Sequence, residues 1–148
     1  MDATASQTVG PFFRVGLSWL EGSGTGAAEA VVRGRVLDGL GQPVPDAVLE
    51  VWQPGGGFCR VPTGEGGDFR FTTARVPCLV VLIFMRGLLR HLMTRVYFPG
   101  ATDAALELVP EERRATLVAR EAQGELIWDV RSWLQVLSQA ADVGFRGS

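Results

Sequence analysis

The chain has 148 residues, 47% of them hydrophobic, and 14 Lys+Arg against 16 Asp+Glu leave a net charge of −2. That length suits one domain, which buries about 68–70% of its unfolded surface without help from disulfides or a structural metal. There is no basic excess to neutralise phosphates, and the longest apolar run, Leu79 to Met85, is far short of the roughly 20 residues that span a bilayer, so neither nucleic acid nor a membrane is an expected partner.

Residues 1–28 are rich in Gly, Ser, Ala and Thr, interrupted by Pro11-Phe12-Phe13 and Leu17-Ser18-Trp19-Leu20. They read as an extended N-terminal arm with aromatic anchors. Met1 to Gly10 shows no basic flank followed by an apolar stretch, so no signal peptide is visible and the cytoplasm is the expected location.

From Glu29 the pattern changes. Val32, Gly34 and Val36 alternate with Arg33, Arg35 and Leu37, and the segment runs into the turn-forming Asp38-Gly39-Leu40-Gly41-Gln42-Pro43, which reads as a strand followed by a tight turn. Val48 to Gln53 is a second strand, on which Trp52 is expected to lie in the core. Pro54-Gly55-Gly56-Gly57 breaks the chain, and Gly64 to Asp68 forms a turn before the alternating Phe69-Arg70-Phe71-Thr72-Thr73 strand. Leu79 to Phe84 is apolar without alternation, which predicts a central strand covered on both faces.

Thr94 to Phe98 is a further strand, stopped by Pro99-Gly100. A turn or short helix over Thr102 to Leu108 follows, with Thr102 or Asp103 as cap, and then short strands at Thr116–Arg120 and Leu126–Arg131. Many short strands at close spacing argue an all-β sandwich. The division is thus an arm over 1–28, a core over 29–131 and a distinct segment over 132–148, where Ser132 could cap a short helix presenting Trp133, Val136, Leu137 and Ala140 on one face.

Chemistry is limited by scarcity: the chain has one His, His91, and one Tyr, Tyr97. Two-His-one-carboxylate iron sites and typical catalytic zinc sites need more imidazoles. His91 has no nearby Ser or acid to complete a nucleophilic triad. Cys59 and Cys78 are too far apart for a CxxC pair and read as small buried hydrophobes or free thiols. No Gly-rich phosphate loop is present.

Several stretches together carry a family likeness. They are Ser6-Gln7-Thr8-Val9-Gly10-Pro11-Phe12-Phe13, Val36 to Ala47 running into Leu49-Glu50-Val51-Trp52-Gln53, Phe58 to Thr63, Phe69-Arg70-Phe71, Phe84-Met85-Arg86-Gly87-Leu88-Leu89, and Thr94 to Pro99. In this order and spacing the chain resembles the intradiol ring-cleaving dioxygenases, and within them the α-type subunits of protocatechuate-cleaving complexes. The resemblance implies an intradiol-dioxygenase-like β-sandwich and a homologous, iron-bearing β-like partner whose Fe(III) is held by two Tyr and two His. It implies no metal on this chain: Cys78 and Val80 stand at the histidine positions, and the tyrosine loops shrink to Pro54–Gly57 and Ala74–Val76.

The same resemblance implies that Thr8, Gly10, Pro11 and Arg86 reach the partner's substrate pocket, with Arg86 binding the carboxylate of a protocatechuate-like aromatic. Arg86 at a strand end also has an ordinary reading, pairing with an acid or extending to solvent. Thr8, Gly10 and Pro11 could equally belong to an arm that merely packs on a partner, and Arg95 to a surface or core-edge pair. A stand-alone β-sandwich binding or assembly module is the alternative to the subunit reading. The resemblance ends near Arg131, and the segment beyond diverges from the family's pattern.

Overall fold

A computed structural model of the chain describes residues 22 and 24–131. The expected C-terminal helix and the arm residues Thr8, Gly10 and Pro11 lie outside the described residues.

Two antiparallel-rich sheets pack face to face. The elements in order are β1 (Ala30–Leu37), β2 (Val48–Trp52), β3 (Phe58–Pro62), β4 (Asp68–Thr73), β5 (Cys78–Phe84), β6 (Leu92–Tyr97), α1 (Ala104–Glu107), α2 (Glu111–Arg114), β7 (Arg120–Ala122), β8 (Glu125–Ile127) and β9 (Val130–Arg131). One sheet runs β4-β1-β8-β7, with β9 also paired to β1, and the other runs β3-β2-β5-β6. β8 and β9 both lie parallel to β1.

The core follows the period-two pattern. Val32, Val36, Phe69 and Phe71 face inward from the first sheet, and Leu49, Val51, Leu79, Val81, Ile83 and Val96 meet them from the second. Each such fully buried side chain contributes roughly 1.5–3 kcal/mol. Asp38 closes the first turn by accepting from the Leu40 and Gln42 amides at 2.8 Å, an Asx turn at the tight turn expected there. Thr25 is pinned to β4, its amide donating to the Thr72 carbonyl at 3.0 Å.

Four expectations are corrected. Trp52 is 48% exposed: β2 turns Leu49 and Val51 into the core, so the alternation carries Glu50 and Trp52 outward. Among the described residues β5 is fully covered on one face only, because a two-layer sandwich gives each sheet a single inner side: Leu79, Val81 and Ile83 are buried while Val80, Leu82 and Phe84 are half-buried. Residues 116–119 are not a strand; Val118 makes one bridge to Tyr97, and β7 starts at Arg120. The last expected strand splits into β8 and β9 around Trp128 and Asp129, where Asp129 Oδ1 accepts from the Arg35 amide at 3.0 Å in place of a ladder bond.

The expected short helix is α1, with Asp103 rather than Thr102 as its cap: Asp103 Oδ1 accepts from the Ala105 amide at 2.9 Å.

Candidate functional site

The outer side of the β3-β2-β5-β6 sheet is where chemistry-bearing and apolar side chains collect. Its strand register defines rows of neighbours. Phe58, Trp52, Val80 and Arg95 stand abreast, followed by Arg60, Glu50, Leu82 and Met93, and then by Pro62, Val48 and Phe84. Trp52 and Phe58 pack ring to ring with centroids 4.6 Å apart, and Phe84 packs on His91 at 5.4 Å. Trp52, Phe58 and Met93 remain 48%, 38% and 38% exposed, an apolar run on a surface that ordinarily scatters such residues singly.

One ion pair crosses this face. Arg60 bridges to Glu50, and its guanidinium carbon lies 5.4 Å from the Phe58 ring centroid. At the Tyr97 end the face is closed. Tyr97 is buried, its hydroxyl donates to Asp103 Oδ2 at 3.0 Å, and Arg95 reaches the same oxygen at 3.0 Å. The Ala105 amide, the Tyr97 hydroxyl and the Arg95 charge hold the Asp103 carboxyl below its usual range, while burial pushes the Tyr97 phenol up. Arg95 is thus a sheet-surface pair, as its position suggested.

At the other end stands Arg86. The β2–β5 pairing puts Val48 opposite Phe84. Two residues beyond each strand end, in the adjoining turns, Arg86 Nε pairs with Asp46 Oδ2. The Asp46 turn is itself braced. Buried Thr63 donates to the Val44 carbonyl at 2.7 Å and accepts from the Ala47 amide at 3.0 Å, bracketing Asp46 on both sides.

Arg86 is therefore the one described member of the four predicted site residues, and it sits where a strand end leaves the sheet. The apolar outer face was missed as a site. Its signal was present in the unbroken run of β5, which has apolar residues for two covers although the described residues supply one. β3 was also unassigned, its strand character masked by Arg60 and Pro62.

The residues at the expected histidine positions do not fit ferric iron. Cys78 is half-buried with its thiol pushed up by burial, Val80 has no donor atom, and Tyr97 is committed to Asp103. Among the described residues no three His, Cys, Asp or Glu side chains group as a metal site requires. The turn from β2 to β3 is closed by Gln53 and Gly57, whose amide-to-carbonyl bond is 2.9 Å, and only residues 74–77 separate β4 from β5. Cys59 is a buried thiol pushed up to about 11 by burial; both cysteines are free. An open cleft of about 340 Å³ beside β8 and β9, lined by Thr116, Val118, Ile127, Trp128 and Arg131 among others, lies on the other sheet, away from Arg86. No helix among the described residues is long and apolar enough to cross a membrane.

No protein-family model matches the chain. A curated protocatechuate 3,4-dioxygenase alpha chain from Burkholderia cepacia is 36% identical over an alignment of 167 residues, spanning 81% of this chain and 85% of that protein. The alpha chain of the same name from Pseudomonas putida is 27% identical, spanning 81% and 84%. Among solved structures, the dioxygenase domain of a dioxygenase carbohydrate-binding protein fusion from Streptomyces sp. SirexAA-E superposes with a TM-score of 0.56 at 21% identity, covering 75% of this chain and 86% of that one. Hydroxyquinol 1,2-dioxygenase from Pseudomonas putida DLL-E4 gives 0.55 at 20% identity, covering 88% and 67%. Likeness at these identities extends to the fold.

Proposed function

Because this chain belongs to the family of protocatechuate 3,4-dioxygenase alpha chains, we propose that it is the α-like subunit of an intradiol dioxygenase that opens a carboxylated catechol with O2. In this reading it completes the pocket of a homologous, iron-bearing β-like partner in the cytoplasm. The observation that carries the reading is the apolar outer face of the β3-β2-β5-β6 sheet, where Trp52, Phe58, Val80, Leu82, Phe84 and Met93 lie without a covering layer among the described residues. A cover by a partner of the same fold gives the apolar side of β5 its second layer. Large aromatics at such a face are the residues that dominate association energies.

The ring-opening chemistry belongs to the ferric iron of that partner, since this chain's own donor set does not fit the metal. What this chain supplies is walls and orientation. Arg86 presents a planar cationic fork, which suits the carboxylate of a protocatechuate-like substrate, and a fixed carboxylate holds the ring in one attitude while it reacts. Residues 1–28 form the arm in this reading, bringing Thr8, Gly10 and Pro11 to the same pocket. Residues 29–131 are the sandwich, and 132–148 a divergent segment. Glycine at position 10 allows close backbone approach and Pro11 keeps the arm stiff.

The test is affinity capture of the tagged full chain from its native host, with protein identification and iron analysis of the eluate. A co-eluting homologue bearing the two-Tyr, two-His set, together with ferric iron and protocatechuate cleavage, supports the reading. Elution of the chain alone and iron-free, from cells shown to express such a homologue, overturns it in favour of a stand-alone module.

A further inference from the structure

We infer that Asp46 is the positioning residue for Arg86: it grips the Nε side of the guanidinium so that the edge formed by the two η nitrogens is held ready for a substrate carboxylate. The inference rests on the pocket role proposed for Arg86 and assigns the residue that gives that role its geometry.

Three observations converge. First, the end of the ladder brings the pair together. The β2–β5 pairing ends with Val48 against Phe84, and two residues beyond each strand end Asp46 and Arg86 lie in the adjoining turns, where Arg86 Nε meets Asp46 Oδ2. Second, the two partners differ in exposure, with the Arg86 side chain 56% exposed and that of Asp46 20%. Asp46 Oδ2 is itself shut off from solvent, and its partner among the described residues is Arg86 Nε. A carboxylate oxygen removed from water is costly unless a cation answers it, so Arg86 is held by more than a surface pair would hold it. Third, Asp46 does not move freely, because the turn that bears it is tied at Val44 and Ala47 to the buried hydroxyl of Thr63.

The chemistry of the guanidinium completes the argument. It offers five N–H donors in a rigid plane, and a contact made through Nε leaves the η1–η2 edge for a second, bidentate carboxylate. A free arginine on a strand end would sample several rotamers, and fixing one of them before the substrate arrives removes that ordering cost from binding. The ligand class that this arrangement selects is therefore an aromatic with a carboxylate, over the same ring without one.

The experiment uses the holo-complex with Asp46→Asn, Arg86→Ala and the double variant, assayed on protocatechuate and on catechol, which lacks the carboxylate. Removing a charge-assisted pair of hydrogen bonds by Arg86→Ala raises KM for protocatechuate by about tenfold or more. Asp46→Asn, which keeps the side-chain shape, raises it about fivefold with kcat nearly unchanged, and the double variant is no worse than Arg86→Ala because both act through one guanidinium. Both single variants raise KM for protocatechuate by a larger factor than they raise it for catechol. If Arg86→Ala raises KM for protocatechuate while Asp46→Asn does not, the inference falls and the Arg86 reading stands. If Arg86→Ala itself leaves KM unchanged, the pocket role of Arg86 falls and the inference with it. Equal losses on both substrates, additive effects in the double variant, or failure of the Asp46→Asn chain to enter the complex would make Asp46 a folding residue and overturn the inference.

Discussion

Gly34→Ala tests the join on which the first sheet depends. Gly34 lies inside β1, and a Cβ built on it meets the carbonyl oxygen of Trp128 at 1.7 Å, the Trp128 carbonyl carbon at 2.6 Å and the Phe69 ring at 3.1 Å. The nearest obstacles are backbone, so the segment carrying Trp128, between β8 and β9, has to retreat by more than an ångström. That retreat breaks the bond from the Trp128 amide to the Arg33 carbonyl, now 2.9 Å, worth about 1 kcal/mol. It also loosens the packing of Trp128, which is buried against Phe69, and forced core displacements cost about 1–3 kcal/mol. The expected loss is about 2–4 kcal/mol, opposite in sign to the roughly 0.5–1 kcal/mol that replacing a strand glycine by alanine ordinarily gains. For a chain of this size it corresponds to a fall in Tm of roughly 5–15 °C. Urea unfolding followed by tryptophan fluorescence measures it, with Gly22→Ala, whose Cβ meets nothing within 4 Å, as the neutral control. A Gly34→Ala chain within about 0.5 kcal/mol of wild type would refute the claim that β1 and the segment between β8 and β9 touch backbone to backbone here.

Other outcomes follow from the same geometry. Thr94 carries a buried hydroxyl with no hydrogen-bond partner among the described residues, so Thr94→Val is expected to stabilise the fold by about 1 kcal/mol, and a loss on thermal melting would mean that the hydroxyl is satisfied. Asp103→Ala removes the α1 cap and the contacts to Arg95 and Tyr97, costing about 1–2 kcal/mol at pH 7. Because the folded-state pKa of Asp103 lies below the usual 3.8, its contribution is present above that value and disappears as the pH falls through the lower folded-state value; the gap between wild type and variant should narrow in acid, and a constant gap down to pH 2 would contradict the ionic part. In the native state Cys78 should react with a thiol reagent before Cys59, since at pH 8 a pKa of about 11 leaves roughly one Cys59 thiol in a thousand ionised; equal rates before unfolding would count against the burial of Cys59. Trp52→Ala should leave the isolated chain within about 1 kcal/mol of wild type yet weaken partner capture at least tenfold, and unchanged capture would take Trp52 out of the proposed interface.

The sequence alone determined the class of fold and much of its order. Period-two alternation in β1 and β4, the tight turn after Asp38, the stop at Pro99-Gly100 and a short capped helix beginning near Thr102 or Asp103 are local effects, carried by residues within a few positions of one another, and local effects can be read along the chain. Scarcity of His and Tyr was equally legible, since counting donors needs no coordinates. What only the tertiary structure decided was direction and cover. Trp52 and Leu49 are both apolar on one strand, and nothing local says which of the two faces the second sheet. The uniform run of β5 announced two apolar faces, yet only the packing of the sandwich shows that one of them has no layer over it among the described residues. The break at Trp128 and Asp129 lies where Gly34 admits the Trp128 carbonyl, from a segment more than 90 residues away. Asp46 is likewise 40 positions from Arg86, and it becomes a partner only through the ladder between β2 and β5, because strand register converts distance along the chain into contact across it.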